Sequence, residues 1–298
     1  MSELEYTYRE NLIPRIRKLI KGYTVSDILK EYLQNADDAG ATELKVTYDH
    51  RLHNRLIGTR FEKAKGPALI IENNSFFKEK DFESIREISK EGKVDDASTT
   101  GRFGEGFSCS FSVSDDPSFI SSGKAFWFDV LAHSVTKGKS NNISAWDDLS
   151  SEDLLVWLDT FRHETNQSFD ERKTVFRLPL RTTPSSISSE YFSYEDFIGW
   201  VQDWTNSAHN ILFLRNVQRI TLDEINTNGE RKCLVQIETI NDIEIRNIKA
   251  SLQSDSNQYD NNPQRLSEYW LSNNDELPSH SYMHELEVTA GDNKVTER

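Results

Sequence analysis

Glu31-Tyr-Leu-Gln-Asn35-Ala-Asp-Asp38-Ala-Gly40 is the stretch on which the reading of this chain turns, and about sixty residues later Gly101-Arg-Phe-Gly104-Glu-Gly106-Phe107 completes it. Residues 24–39 place Val25, Leu29, Tyr32, Leu33 and Ala36 on one side at helical spacing. At about 100° per residue, Glu31, Asn35 and Asp38 fall within roughly 60° of one another on the opposite side. Thr24 or Ser26 can cap the start, and Gly40 can close the end in a left-handed conformation. An ordinary amphipathic helix with a solvated polar face explains the spacing. The residue types suggest more. A carboxylate one turn before an amide can orient water beside a metal held through that amide, and Mg²⁺ keeps several waters while taking few protein oxygens.

A lone Gly-x-x-Gly-x-Gly means little. Here Phe107-Ser-Cys-Ser-Phe111-Ser-Val113 follows it and reads as the opening of a buried helix or strand. Glycines leading into a helix let backbone N–H groups approach phosphate oxygens with no Cβ in the way, and the helix dipole favours the anion. A Gly-x-x-x-x-Gly-Lys-Ser/Thr phosphate loop is missing, and no strand–Gly-x-Gly-x-x-Gly–helix unit opens the chain, which argues against a dinucleotide fold.

In this order and at this distance, Glu-x-x-x-Asn-Ala-x-Asp-Ala and Gly-x-Phe-Gly-x-Gly-Phe resemble the two main boxes of the GHKL ATPases. That group holds heat-shock-ninety chaperones, type II topoisomerase subunits, mismatch-repair ATPases and sensor histidine kinases. Within it the chain is most similar to the sacsin repeat, through residues 29–41, 66–70, 101–107, 174–181 and 211–214. The resemblance implies a Bergerat ATP-binding fold: a two-layer α/β sandwich whose mixed, mostly antiparallel sheet is covered by helices on one face. It implies ATP and Mg²⁺ as cofactors, with Glu31 as general base and Asn35 as the Mg²⁺ ligand. Asp38 would help anchor the nucleotide, and Thr174 would sit under the adenine. The backbone of Gly101, Arg102, Phe103, Gly104, Glu105, Gly106 and Phe107 would hold the phosphates.

One box departs from that pattern. The chaperones end a strand with Asp-x-Gly-x-Gly, whose Asp accepts a hydrogen bond from the adenine amino group. Here the run is Ile70-Ile-Glu72-Asn73-Asn74-Ser-Phe-Phe77, with neither glycine nor Asp. A gapless count back from Phe77 puts Glu72 at the Asp position; a carboxamide oxygen on Asn73 or Asn74 could accept the same bond. An Asn-Asn pair is also what a plain turn uses. The departure keeps two functions open: an ATPase module driving lid closure in a larger chaperone-like chain, or a catalytically silent binding platform on the same fold. A histidine kinase would need a phospho-accepting His ahead of the nucleotide domain, and no His precedes residue 50.

The net charge of −14, from 49 acids against 35 bases, repels a nucleic-acid backbone from the average surface, so no nucleic-acid partner is expected. The basic run Arg15-Ile-Arg-Lys-Leu-Ile-Lys21 reads as the solvated side of a leading helix, since Leu12, Ile13, Ile16, Leu19 and Ile20 recur at helical spacing. The 2 cysteines, Cys109 and Cys233, suggest reduced thiols in a cytoplasmic protein, and no apolar run approaches membrane length. The 7 histidines lack the cysteine partners and spacing of a zinc site.

Along the chain, helices are expected near 12–21, 24–39, 79–89, 154–158 and 194–204, and strands near 43–48, 68–72, 125–132, 174–180 and 211–221. Arg177, on an alternating strand, is expected on the sheet surface or paired with an acid. Residues 91–100 read either as a lid beside the phosphates or as a surface loop. The expected division is a nucleotide-binding domain at 1–222 and a β-rich extension with a mobile loop at 223–298. In that extension 231–240 is a strand, 251–262 is a loop, and no closing strand is evident. Partners would be ATP or ADP, further domains of a longer chain from which this is a fragment, and client proteins.

Overall fold

The structure, a computed structural model, describes residues 12–59, 61–82, 107–131, 142–145, 151–162, 172–239, 286–290 and 293–297. Its frame is a mixed sheet of ten strands: β1 (Glu43–Asp49), β2 (Ala68–Asn73), β3 (Ser118–Ser121), β4 (Lys124–Asp129), β5 (Asn142–Ala145), β6 (Thr174–Pro179), β7 (Arg219–Ile225), β8 (Arg231–Thr239), β9 (Leu286–Ala290) and β10 (Asn293–Glu297). Their order is β10-β9-β8-β7-β1-β2-β6-β3-β4-β5. Among the described strands only β1 and β7 run parallel; the other pairs are antiparallel.

Helices α1 (Leu12–Ile20), α2 (Val25–Asp38), α3 (Ser151–Asp159) and α4 (Tyr194–Asn206) accompany the sheet. Thr24 caps α2, its N–H donating to the Asp27 carboxylate at 2.8 Å. Gly40, at φ 76°, ends α2, and the Ala41 N–H returns to the Ala36 carbonyl at 2.9 Å. That six-to-one closure needs a residue with no Cβ at the left-handed position. Ile28, Leu29, Tyr32, Leu33 and Ala36 of α2 are buried, and they join Leu44, Val46, Leu69, Ile71, Phe176 and Leu178 from alternate positions of β1, β2 and β6. Period 3.6 on the helix meets period 2 on the strands, and this main core lies between them.

The sheet has a second, smaller core on its reverse face. Ile70, Val175, Ala125 and Trp127 pack there against Phe61, Ala64 and the α3 residues Trp157 and Leu158. The expectation of helices on one face holds for the main layer, but Ile70, Ala125, Trp127 and Val175 make part of the reverse face apolar too, and that part needs this second cover.

Several expectations are corrected. Residues 211–214 belong to a 3-10 helix (Ala208–Phe213) and its exit, and the strand starts at Arg219. Ile211 is buried against the helical layer, so its apolar run serves packing and not pairing. A boundary at 222/223 would cut β7, whose seven residues all pair with β1, and β8 continues the same sheet. Beyond them, β9 and β10 form a hairpin beside β8 where no closing strand was expected. Residues 79–82 are helical, whereas the remainder of the 79–89 helix, the 91–100 segment and the 251–262 loop lie outside the described residues. No helix among the described residues is long and apolar enough to cross a membrane.

Arg177 is neither at the surface nor in an exposed ion pair. It is fully buried on the reverse face, donating to the carbonyls of Ala64 (2.9 Å) and Gly66 (3.3 Å). Burial lowers its pKa to about 10, partly offset by Asp49. Burial alone would raise Asp49, but His53, with Nε2 3.5 Å from the carboxylate, and the hydrogen bonds from Arg51 hold its carboxyl well below the usual range. Burial also lowers the pKa of His53, with Arg177 and Arg51 adding to the effect and Asp49 opposing it. The unfolded chain therefore takes up a proton near pH 6.5 that the folded chain resists, so this stability is complete above that value and is lost as pH falls below it. The urea midpoint should drop between about pH 7.5 and pH 5.5, and His53→Gln should flatten that drop. An equal drop in the variant would remove His53 as the cause.

Candidate functional site

Where the C-terminal half of α2 crosses the ends of β2 and β6, a cleft opens. Its lining is Asn35 and Ala39 from α2, Asn73 and Ser75 at the end of β2, Thr174 at the start of β6, and aromatic side chains including Tyr32, Phe76, Phe77 and Phe107. It is narrow, leaving about 20 Å³, room for a single water.

The placement of α2 over this cleft follows from contacts in its middle and at its C-terminal end. In its middle, the Tyr32 hydroxyl meets Ser110 Oγ at 2.7 Å, and Ser110 in turn donates to the Phe107 carbonyl at 2.6 Å. Residues 107–112 are thereby fixed against α2, and Phe107 is buried among Phe128, Phe176 and Phe119 at centroid distances of 4.8, 5.9 and 6.1 Å. The last residue of the glycine segment is thus anchored in the aromatic core; Gly101, Arg102, Phe103, Gly104, Glu105 and Gly106 lie outside the described residues. At its C-terminus, Asp37 accepts hydrogen bonds from three successive backbone N–H groups: Arg215 (2.9 Å), Asn216 (2.6 Å) and Val217 (2.9 Å). Asn216 Nδ2 also donates to the Asp37 carbonyl at 2.7 Å. This clamp holds the chain entering β7.

Asn35 and Thr174 line the cleft together with Asn73. Glu72 does not. It sits one position off on the strand and so faces the other layer, where its carboxylate accepts from Lys173 Nζ at 2.8 Å. The gapless count misassigns it because the pleat, not the count from Phe77, decides which residue points at α2. Asn74 is also elsewhere: its Oδ1 accepts from the N–H groups of Thr42 (2.8 Å) and Glu43 (3.1 Å), starting β1. Glu31 is half-buried on α2 and is not part of the lining; it lies near Cys109, whose thiol is pushed well up by burial and then by the Glu31 and Asp27 charges. Asp38 lies at the exposed end of the helix, its carboxyl raised by partial desolvation and drawn down by Arg215.

Asp37 is the clamping residue that the helical spacing argument missed. It stands four residues after Leu33 and eight after Leu29, in line with the buried stripe, and an acid at such a position needs a cluster of donors.

A hydrogen-bonded relay forms the far wall. Thr174 Oγ1 donates to the Ser75 carbonyl (2.9 Å), so the 2.7 Å contact with Ser121 must run from Ser121 Oγ to Thr174. Ser121 Oγ in turn accepts from the Phe77 N–H at 2.8 Å. The direction of every proton in this relay is set by its two ends. Asn73 Oδ1 accepts from the Ser75 N–H at 3.0 Å, closing a tight turn at the cleft mouth.

A larger polar groove of about 420 Å³, lined by residues including Lys63, Asp115, Arg181, Thr183 and Ser185, lies elsewhere. Its Arg181 has committed its donors to the Asp115 carboxylate and to the carbonyls of Ser112, Phe111 and Glu190. It is a brace between strands and loop, with no donor left for a ligand.

Comparison with known proteins gives the chain a family. The family model described as the Sacsin domain matches residues 9–237, and the chain belongs to that family. Sacsin from Homo sapiens is 30% identical over 242 residues, which is 76% of this chain and 5% of the relative, so the match is to one module of a far larger protein. A solved structure titled as the N-terminal domain of a DNA repair protein superposes with a TM-score of 0.36 at 10% identity, covering 76% of this chain and 56% of its own.

The clamp makes a prediction that separates two adjacent acids. Asp37→Ala leaves three backbone donors without their carboxylate and should cost about 3 kcal/mol of unfolding free energy. Asp38→Ala should stay within about 0.5 kcal/mol of the parent. Equal losses in urea titrations would mean that the clamp does not hold the chain in solution.

Proposed function

We propose that this Sacsin-domain module binds ATP with Mg²⁺ in the cleft beneath α2 and hydrolyses it slowly, driving closure of a lid within a larger chaperone-like chain in the cytoplasm. The observation that carries the reading is convergence. Asn35, Asn73 and Thr174, far apart in sequence, line one cleft, and the anchored Phe107 delivers the end of the glycine segment to it. Among the described residues, the Asn35 carboxamide makes no hydrogen bond within the protein, which suits a group that must supply an oxygen to a hydrated cation. Mg²⁺ would draw its other ligands from phosphates and water and would neutralise charge developing on the phosphoryl oxygens. Glu31, one turn before Asn35, would take the proton from an attacking water. The partners in this reading are ATP and ADP, the other domains of the longer chain, and client proteins acted on through them.

A second reading is a silent platform that binds partners without turnover. Two observations favour it: the cleft holds only one water, so a purine enters only if Phe76 and its neighbours move aside, and Glu31 lies outside the lining. Two variants divide the readings. Glu31→Ala should abolish phosphate release while leaving ATP affinity within a few-fold. Asn35→Ala should weaken Mg²⁺-dependent ATP binding measured by calorimetry. Turnover at the parent rate in the first variant would remove Glu31 as the base; no phosphate release by the parent, or unchanged affinity in the second variant, would favour the platform.

A further inference from the structure

Asn73 has two hydrogen-bonding atoms, and the structure commits one of them. Its oxygen is engaged by the Ser75 N–H at 3.0 Å. A backbone N–H can only donate, so the orientation of the carboxamide is set by its partner: Oδ1 faces Ser75 and Nδ2 faces away from it. Among the described residues, Nδ2 makes no hydrogen bond, and Asn73 lines the cleft. The spare group that Asn73 offers there is an N–H donor.

The surrounding groups leave little else to do that work. Asn74 is spent on the start of β1, and Glu72 is on the reverse face with Lys173. Thr174 has given its proton to Ser75 and taken one from Ser121, so its hydroxyl retains only acceptor capacity. The cleft floor therefore carries one neutral donor and one neutral acceptor on adjacent strands, β2 and β6, with Asn73 and Thr174 directly paired across the ladder.

We propose that Asn73 reads the nucleobase as a hydrogen-bond donor, through Nδ2, to an unprotonated acceptor on the base edge: the ring nitrogen N1 of adenine. This rests on the nucleotide-binding reading above and deepens it. A carboxylate at the same place would instead accept from the exocyclic amino group, so the Asn73 side chain inverts the polarity of base recognition. Asn73→Asp is the isosteric test, because one carboxylate oxygen retains the turn bond from Ser75 while the other replaces the donor with an acceptor.

The experiment is calorimetric titration of the parent and Asn73→Asp with Mg²⁺ and three nucleotides. These are ATP, 1-deaza-ATP (no N1 acceptor) and purine riboside triphosphate (no amino group). The parent should bind 1-deaza-ATP about tenfold more weakly than ATP, the effect of stranding one donor. Asn73→Asp should lose that sensitivity and become about tenfold sensitive to loss of the amino group. If the parent binds ATP and 1-deaza-ATP equally, or if the variant keeps the parent's ranking, Asn73 does not donate to the base, and the site reading survives alone. If the parent binds none of the three, both the site reading and this inference fail. Matching thermal midpoints and far-ultraviolet spectra establish that the variant is folded, so a change in ranking reports on the base contact.

Discussion

The pinning of α2 is the constraint on which the rest of the structure depends. One side chain from its middle, Tyr32, reaches the helical turn after the glycine segment, and one from its end, Asp37, gathers three backbone amides before β7. Both contacts are buried, where a donor or acceptor left without its partner costs more than the net value of a made bond. A burial pattern alone would let the helix slide or roll by a fraction of a turn on an apolar sheet. These polar contacts remove that freedom and set which residue of α2 overlooks the ends of β2 and β6. Asn35 lines the cleft because its neighbours on the helix are held elsewhere.

The two faces of the sheet divide the labour. On the helical face, alternate residues of β2 are Leu69, Ile71 and Asn73: two that pack and one that reaches the cleft. On the reverse face the same strand offers Ile70 and Glu72, and the neighbouring strand buries Arg177 among carbonyls and beside Asp49. Arg177 and Asp49 supply no group to the cleft. They secure residues 51–53 and 64–66 beside the second core, which covers the apolar reverse-face positions Ile70, Ala125, Trp127 and Val175. A stable sheet then keeps Asn73 and Thr174 in register opposite each other at the cleft, so the shape of the cleft draws on packing some distance away.

Much of this was legible in the sequence. The helical spacing of Leu29, Tyr32, Leu33 and Ala36 and the glycine at position 40 specify α2 closely, and alternating or apolar runs mark β1, β2, β6 and β8. What was not legible depends on tertiary partners. Residues 211–214 are apolar and short, and nothing local distinguishes a strand from a 3-10 turn buried under a helix. Asp37 and Asp38 are chemically identical neighbours, separated only by which side of α2 meets the amides of 215–217. Glu72, Asn73 and Asn74 illustrate the same limit on a strand. A shift of one residue exchanges faces, and no count along the chain replaces knowledge of the pleat. The hairpin of β9 and β10 lies in a stretch whose sequence carries weak alternation, and its pairing with β8 is what defines it.

The proposed function stands on a nucleotide occupying the cleft between α2 and the ends of β2 and β6. Hydrogen exchange of the chain with and without Mg²⁺ and ATP tests it most directly, because amides that become ordered around a ligand exchange more slowly. Slowed exchange is expected in residues 35–41, 73–77 and 107–112, with no change around Arg181 and Ser185. No protection in those three segments, or protection confined to the Arg181 groove, would contradict it.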